Sequence, residues 1–146
     1  MNQMKTLENL LKNELSATET YLQALDKLKE DVEMGEADEL MPIYESHKVA
    51  VSSLQALTTR LGGTPADDSG AWGTWAKLVL GGANMLGKKA VLTALHEGER
   101  SGNDDYKEAL LEDELPSDLR SLIETKLLSA QTSHIEKLDQ LLAAAA

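Results

Sequence analysis

The sequence predicts an all-α fold: four long helices packed as a bundle, with a short crossover helix between the second and third. Three observations carry this. Apolar residues step by 3 and 4 through four separate stretches, the spacing that keeps one helical face turned towards a core. Leu, Ala, Glu and Lys dominate, phenylalanine is absent, and only two tryptophans and three tyrosines occur, a composition that suits helices better than strands. The chain also repeats itself in outline: Glu14-x6-Tyr21-x2-Ala24-Leu25 returns 85 residues later as Glu99-x6-Tyr106-x2-Ala109-Leu110.

A length of 146 residues fits one domain over residues 1–146, large enough to bury a core without disulfide or metal staples. The absence of cysteine excludes thiolate metal sites, cysteine nucleophiles and disulfides, and fits a reducing cytoplasm. The N-terminus lacks the basic-then-apolar pattern of a signal peptide, and no apolar run approaches the ~18 residues of a membrane span, so a soluble, unprocessed cytoplasmic chain is expected. With 14 basic against 25 acidic residues the net charge of -11 repels phosphates, which makes nucleic acid a poor partner.

The first helix is expected from about Asn2 to about Glu30, because Leu7, Leu10, Glu14, Ala17, Tyr21, Ala24 and Leu28 share a seam. Gly35 marks a short turn, which implies an antiparallel partner. The second helix is expected to start near Asp38, with Pro42 in its first turn and a seam of Leu40, Ile43, His47, Ala50, Leu54, Leu57 and Leu61. Gly62 and Gly63 end it. Residues 72–86 read as a connecting helix whose Trp72, Trp75, Ala76, Val79, Leu80 and Ala83 share a face. That face either packs along the bundle or, through Trp72 and Trp75, meets a protein partner, a lipid or a second copy of the chain. The third bundle helix is expected from about Lys88 to Glu112, with Leu92, Leu95, Glu99, Gly102, Tyr106 and Ala109 inward. Pro116 and Ser117 start the fourth, whose seam reads Glu124, Leu127, Gln131, His134, Leu138 and Leu141, and the alanine tail is expected to fray.

Every long helix thus sets a polar residue on its apolar seam: Glu14, His47, Glu99, and Gln131 with His134. A carboxylate there is costly unless something pairs with it. The halves correspond, Glu14 with Glu99 and His47-x6-Leu54-x2-Leu57 with Gln131-x6-Leu138-x2-Leu141, so a pseudo-twofold bundle brings all five to one level. Two readings of that level stand. One is a single divalent ion, zinc, iron or manganese, held by Glu14, Glu99, His134 and His47, with Gln131 in the candidate set and His96 as an additional candidate three residues before Glu99. The other is a metal-free hydrogen-bonded core in which the glutamates accept from histidine, glutamine, or the hydroxyls of Tyr21 and Tyr106. An antiparallel pairing of the first and third helices would bring Tyr106 to Glu14 and Tyr21 to Glu99. A di-iron oxidase or ferroxidase centre is disfavoured, because bundles of that kind take a Glu from two helices and a Glu-x-x-His from the other two. Here the fourth helix has Gln131-x-x-His134 and the second His47-x-x-Ala50. If the core holds no metal, replacing Glu99 by leucine would stabilise it, provided no partner is stranded.

The helix-two exit LGGTP, the tryptophan segment GAWGTWAKL, the stretch GE-x6-YKEALLEDELP and the closing helix with its histidine resemble bacterial ferritin-like four-helix-bundle proteins of the type catalogued as domain of unknown function 2383. The resemblance runs over about residues 6–142. It implies a ferritin-like fold with a long crossover between the second and third bundle helices, and no known reaction. It also implies a glutamate at the position of His96, where this chain departs.

Two function classes follow. A ferritin-like metal-binding or stress-related protein predicts bound metal; a non-catalytic structural or interaction bundle predicts none. No nucleophile with a base at motif spacing, phosphate loop or zinc-protease helix motif is present, so hydrolytic chemistry fares worse than either.

Overall fold

A computed structural model describes residues 2–30, 37–70 and 88–145, and every regular element among them is helical. Helix α1 spans Asn2–Glu30, α2 Ala37–Arg60 and α3 Lys88–Ala109. The fourth long helix is composite: α4 (Ser117–Leu122), a π-helical segment (Ile123–Leu127) and α5 (Leu128–Ala145) run on without a break in helical backbone angles. The helical assignment runs through the alanine tail to Ala145. The expected turn at Gly35 and the crossover helix with its Trp72 and Trp75 face lie outside the described residues.

Directions follow from side-chain pairs. Thr6 bonds Glu112 and Asn13 bonds Asp105, so α1 and α3 run antiparallel. His96 pairs with Asp139 and Asn103 with Thr132, which makes α3 antiparallel to the fourth helix. Arg60 meets Asp118 and Lys137 meets Glu39, so α2 and the fourth helix are antiparallel as well. Met4 lies beside Gly63, so the start of α1 meets the end of α2. The order is therefore up, down, down, up. The most extensive packing is α1 on α2 and α3 on α5, two hairpins that join through α1 and α3. Because α2 and α3 point the same way, no tight hairpin joins them, and residues 61–70 run back along the bundle. There Ala66 accepts from Gln55, and Ser69 bonds Glu19 midway up α1.

Local chemistry explains the helix ends. Gly62 at φ +91° takes the left-handed turn after α2, while Gly62 N–H and Gly63 N–H donate to the Thr59 and Thr58 carbonyls, a Schellman closure that needs glycine at the turn. Arg120 donates to the carbonyls of Leu110 at 2.9 Å and Glu112 at 2.8 Å, tying the exit of α3 to the start of α4.

The fourth helix corrects one expected seam. Glu124 is exposed and Ile123 is buried in its place, so the inward series reads Leu119, Ile123, Leu127, Gln131, His134, Leu138. Three consecutive steps of four would overshoot an α-helix by about 40° each. The π segment absorbs the extra residue: Leu128 N–H reaches back five positions to the Ile123 carbonyl. Leu61, expected on the α2 seam, is also exposed, because it lies beyond the last turn of α2.

The apolar interior falls into two clusters. One gathers Leu7, Leu11, Leu54, Leu57, Tyr106, Leu119 and Ile123; the other gathers Tyr21, Leu25, Leu40, Leu92, Leu95 and Leu138. Fully burying a leucine contributes about 1.5–3 kcal/mol. A polar layer divides the two clusters.

Candidate metal centre in the bundle core

Between the two clusters lie Glu14, His47, Glu99, Gln131 and His134, all buried, Glu99 completely so. Their level is set by helix periodicity: each occupies a core-facing position of its own helix, and the antiparallel registers bring those positions together. His47 is the hub. Its Nδ1 lies 2.5 Å from Glu14 Oε1 and its Nε2 2.6 Å from Glu99 Oε2, so one imidazole spans two carboxylates from two other helices. His134 Nδ1 stands 3.2 Å from the other oxygen of Glu99. The imidazole rings of His47 and His134 are 4.7 Å apart, and Tyr21 stacks on His47 at 5.3 Å.

The tyrosines enter from opposite ends. Tyr21, from one apolar cluster, donates to Glu99 Oε2 at 2.6 Å; Tyr106, from the other, donates to Glu14 Oε2. The internal repeat thus becomes a reciprocal exchange between α1 and α3. Gln131 does not join the carboxylates. Its Nε2 donates to the Glu99 backbone carbonyl at 3.0 Å, and this approach depends on Gly102, where a β-carbon would stand 2.6 Å from that nitrogen. His96 is also kept away: three residues before Glu99 it lies on the flank of α3, where its Nε2 pairs with Asp139 at 2.7 Å.

The electrostatics follow from this geometry. Burial by itself would lower the pKa of His47, but the charges of Glu99 and Glu14 and their hydrogen bonds override it and raise it from 6.5 to about 10. Burial would raise Glu99, yet His47 and His134 bring it down from 4.5 to about 2. His47 is therefore an imidazolium at neutral pH, and Glu99 an ionised carboxylate. Burial and the facing carboxylates push the hydroxyls of both Tyr21 and Tyr106 well above their ordinary value, so both remain donors.

His47, Glu99 and His134 each offer one ligand atom, and the three atoms lie within 4.8 Å of one another. Two imidazoles and a carboxylate make a donor set suited to zinc, iron(II) or manganese(II). Glu14 Oε1 meets His47 at Nδ1, the ring nitrogen turned away from Glu99. Sequence reasoning missed the π segment that aims Gln131 and His134, and the role of Gly102. The 4-4-4 spacing from Leu119 to Gln131 was the available signal for the first. Among the described residues no helix is long and apolar enough to cross a membrane.

Residues 2–112 match the family model described as Domain of unknown function (DUF2383), a span that includes Glu14, Tyr21, His47, Glu99 and Tyr106 but ends before Gln131 and His134. No curated protein and no solved structure matches the chain.

Proposed function

The chain belongs to that family of unknown function, and from this premise we propose that it is a ferritin-like bundle that holds one divalent cation, zinc, iron(II) or manganese(II), among His47, Glu99 and His134. The up-down-down-up helix order supports the ferritin-like part of the reading, since it calls for a long return between the second and third bundle helices. The observation that carries the metal is the convergence of three buried ligand atoms from three helices within 4.8 Å of one another. With Glu14 included, two carboxylates balance the charge of one divalent ion. A second ion would lack the carboxylates a di-iron centre uses, so this reading stops at one. The ion would replace the proton of His47 as the positive charge between the glutamates. When bound, it would supply a Lewis acid or, as iron or manganese, a one-electron centre. The same reading takes residues 1–146 as one cytoplasmic domain without a nucleic-acid partner, on the basis of its charge of -11 and its lack of cysteine.

The test is elemental analysis of untagged protein purified without chelator, joined to thermal unfolding with chelator, zinc, manganese and ferrous iron. At free metal about 100 times the dissociation constant the folded state gains about 2.7 kcal/mol, several degrees for a domain of this size. His134→Ala should abolish that shift. A specific observation favours a second reading: both nitrogens of His47 already face carboxylates, so the layer is satisfied by its own proton. In that case the bundle is a structural or interaction protein with a metal-free core. Unshifted melting and no stoichiometric metal would select it.

A further inference from the structure

A groove of about 560 Å³ opens between α2 and α5, within the size range of small-ligand clefts. Asp38, Glu39 and Ser46 stand on its α2 wall, and Ser133, His134 and Lys137 on its α5 wall. His134 belongs both to this groove and to the buried layer: it is 7 % exposed, whereas Glu99 is fully enclosed. On the opposite side, the cavity bordered by Glu14 and His47 has a volume of about 10 Å³, at the limit for a single water molecule.

The His134 ring is oriented for reception. Its Nδ1 faces Glu99, and an ionised carboxylate only accepts, so Nδ1 carries the proton of that bond. Its other nitrogen, Nε2, has no hydrogen-bond partner among the described residues. With the proton on Nδ1, Nε2 is the nitrogen left to receive a cation. The mouth favours cations: Asp38 and Glu39 outnumber Lys137, which pairs with Glu39 from the other wall.

We infer that this groove is the port through which a hydrated divalent cation reaches His134 and, behind it, Glu99, with the Lys137–Glu39 pair closing its mouth. The inference rests on the metal reading above. An arriving ion competes with Lys137 for Glu39, passes between the walls at Ser46 and Ser133, and meets His134 Nε2 before any other ligand of the layer.

The absence of cysteine allows the port to be blocked after folding. Exposed Ser133→Cys is capped either with a bulky maleimide or with a small methylthio group, and cobalt(II) uptake is followed by its visible absorption in stopped flow. The bulky adduct should slow uptake by an order of magnitude or more with the final amplitude unchanged, while the methylthio form keeps the wild-type rate. The same maleimide on Ser52→Cys, exposed elsewhere on α2, should have no effect. If wild type takes up no cobalt, the metal reading fails and the port falls with it. If wild type binds cobalt and the bulky adduct at position 133 leaves the rate unchanged, the port alone is overturned.

Discussion

Tyr21 donates a 2.6 Å hydrogen bond to Glu99 Oε2 from the neighbouring helix, 78 residues away in sequence, and exchanging the roles of α1 and α3 gives the bond from Tyr106 to Glu14. His47 meets both glutamates as well, sharing Oε2 of Glu99 with Tyr21 but taking Oε1 of Glu14, the oxygen that Tyr106 does not bond.

Tyr21→Phe keeps the ring packing and deletes only the donor. A buried hydrogen bond to a charged group contributes about 1.5–3 kcal/mol, so urea unfolding should lose that much stability and the melting temperature roughly 3–12 °C. Tyr106→Phe should cost a similar amount. The double variant should deviate from the sum, since both bonds end on carboxylates coupled through His47. Additive losses below about 0.5 kcal/mol each would mean the hydroxyls are incidental.

Glu99→Leu should destabilise strongly, by about 3–5 kcal/mol, the range for breaking a buried charge pair by removing one partner. The sequence left the opposite sign open on condition that no partner was stranded. The structure removes that condition: the substitution strands Tyr21, His134 and one nitrogen of His47. Equilibrium unfolding at neutral pH decides the sign.

The paired shifts of His47 and Glu99 set a pH window. His47 titrates at about 10 in the fold against an ordinary 6.5, so its stabilisation is complete below pH 6.5 and is lost as pH rises through 10. Glu99 titrates at about 2 against 4.5, so its contribution is present above pH 4.5 and lost as pH falls through 2. The raised hydroxyls of Tyr21 and Tyr106 add to the alkaline loss. Metal-free protein should therefore be most stable between pH 4.5 and 6.5. His47→Gln should flatten the alkaline limb, as read from denaturant midpoints across pH.

Because His47 carries a proton up to about pH 10, an ion that ligates it at neutral pH must expel that proton. Titration calorimetry of zinc in buffers of different ionisation enthalpy should count about one proton released per ion. Zinc binding with no proton release would remove His47 from the ligand set.

The π segment makes a prediction of a different kind. Deleting exposed Thr125 should leave a regular α-helix whose inward steps alternate four and three, so that both Leu119 and Gln131 keep their faces. The variant should fold with nearly unchanged stability. Deleting Arg100 from the regular part of α3 should instead rotate Tyr106 about 100° away from Glu14 and unfold the bundle. Circular dichroism melts of the two deletions test the contrast; equal damage in both would count against the π segment as an inserted residue.

The four long helices and the five polar intruders were legible in the sequence because helical burial is periodic. A residue at a step of three or four from its apolar neighbours must face the core, whatever its polarity. The repeat even announced the Tyr–Glu exchange, since equal spacing on two antiparallel helices is self-complementary. The tertiary structure decided the rest. Which of the carboxylates and imidazoles meet depends on helix register and ring orientation at the scale of an ångström, and no one-dimensional pattern encodes that. His47 became the bridge between two glutamates, Gln131 turned to a backbone carbonyl past Gly102, and His96 fell to the flank with Asp139. The inward face of the fourth helix also passed from Glu124 to Ile123, because a packed core can stabilise a π turn whose weaker local geometry an isolated helix would not adopt.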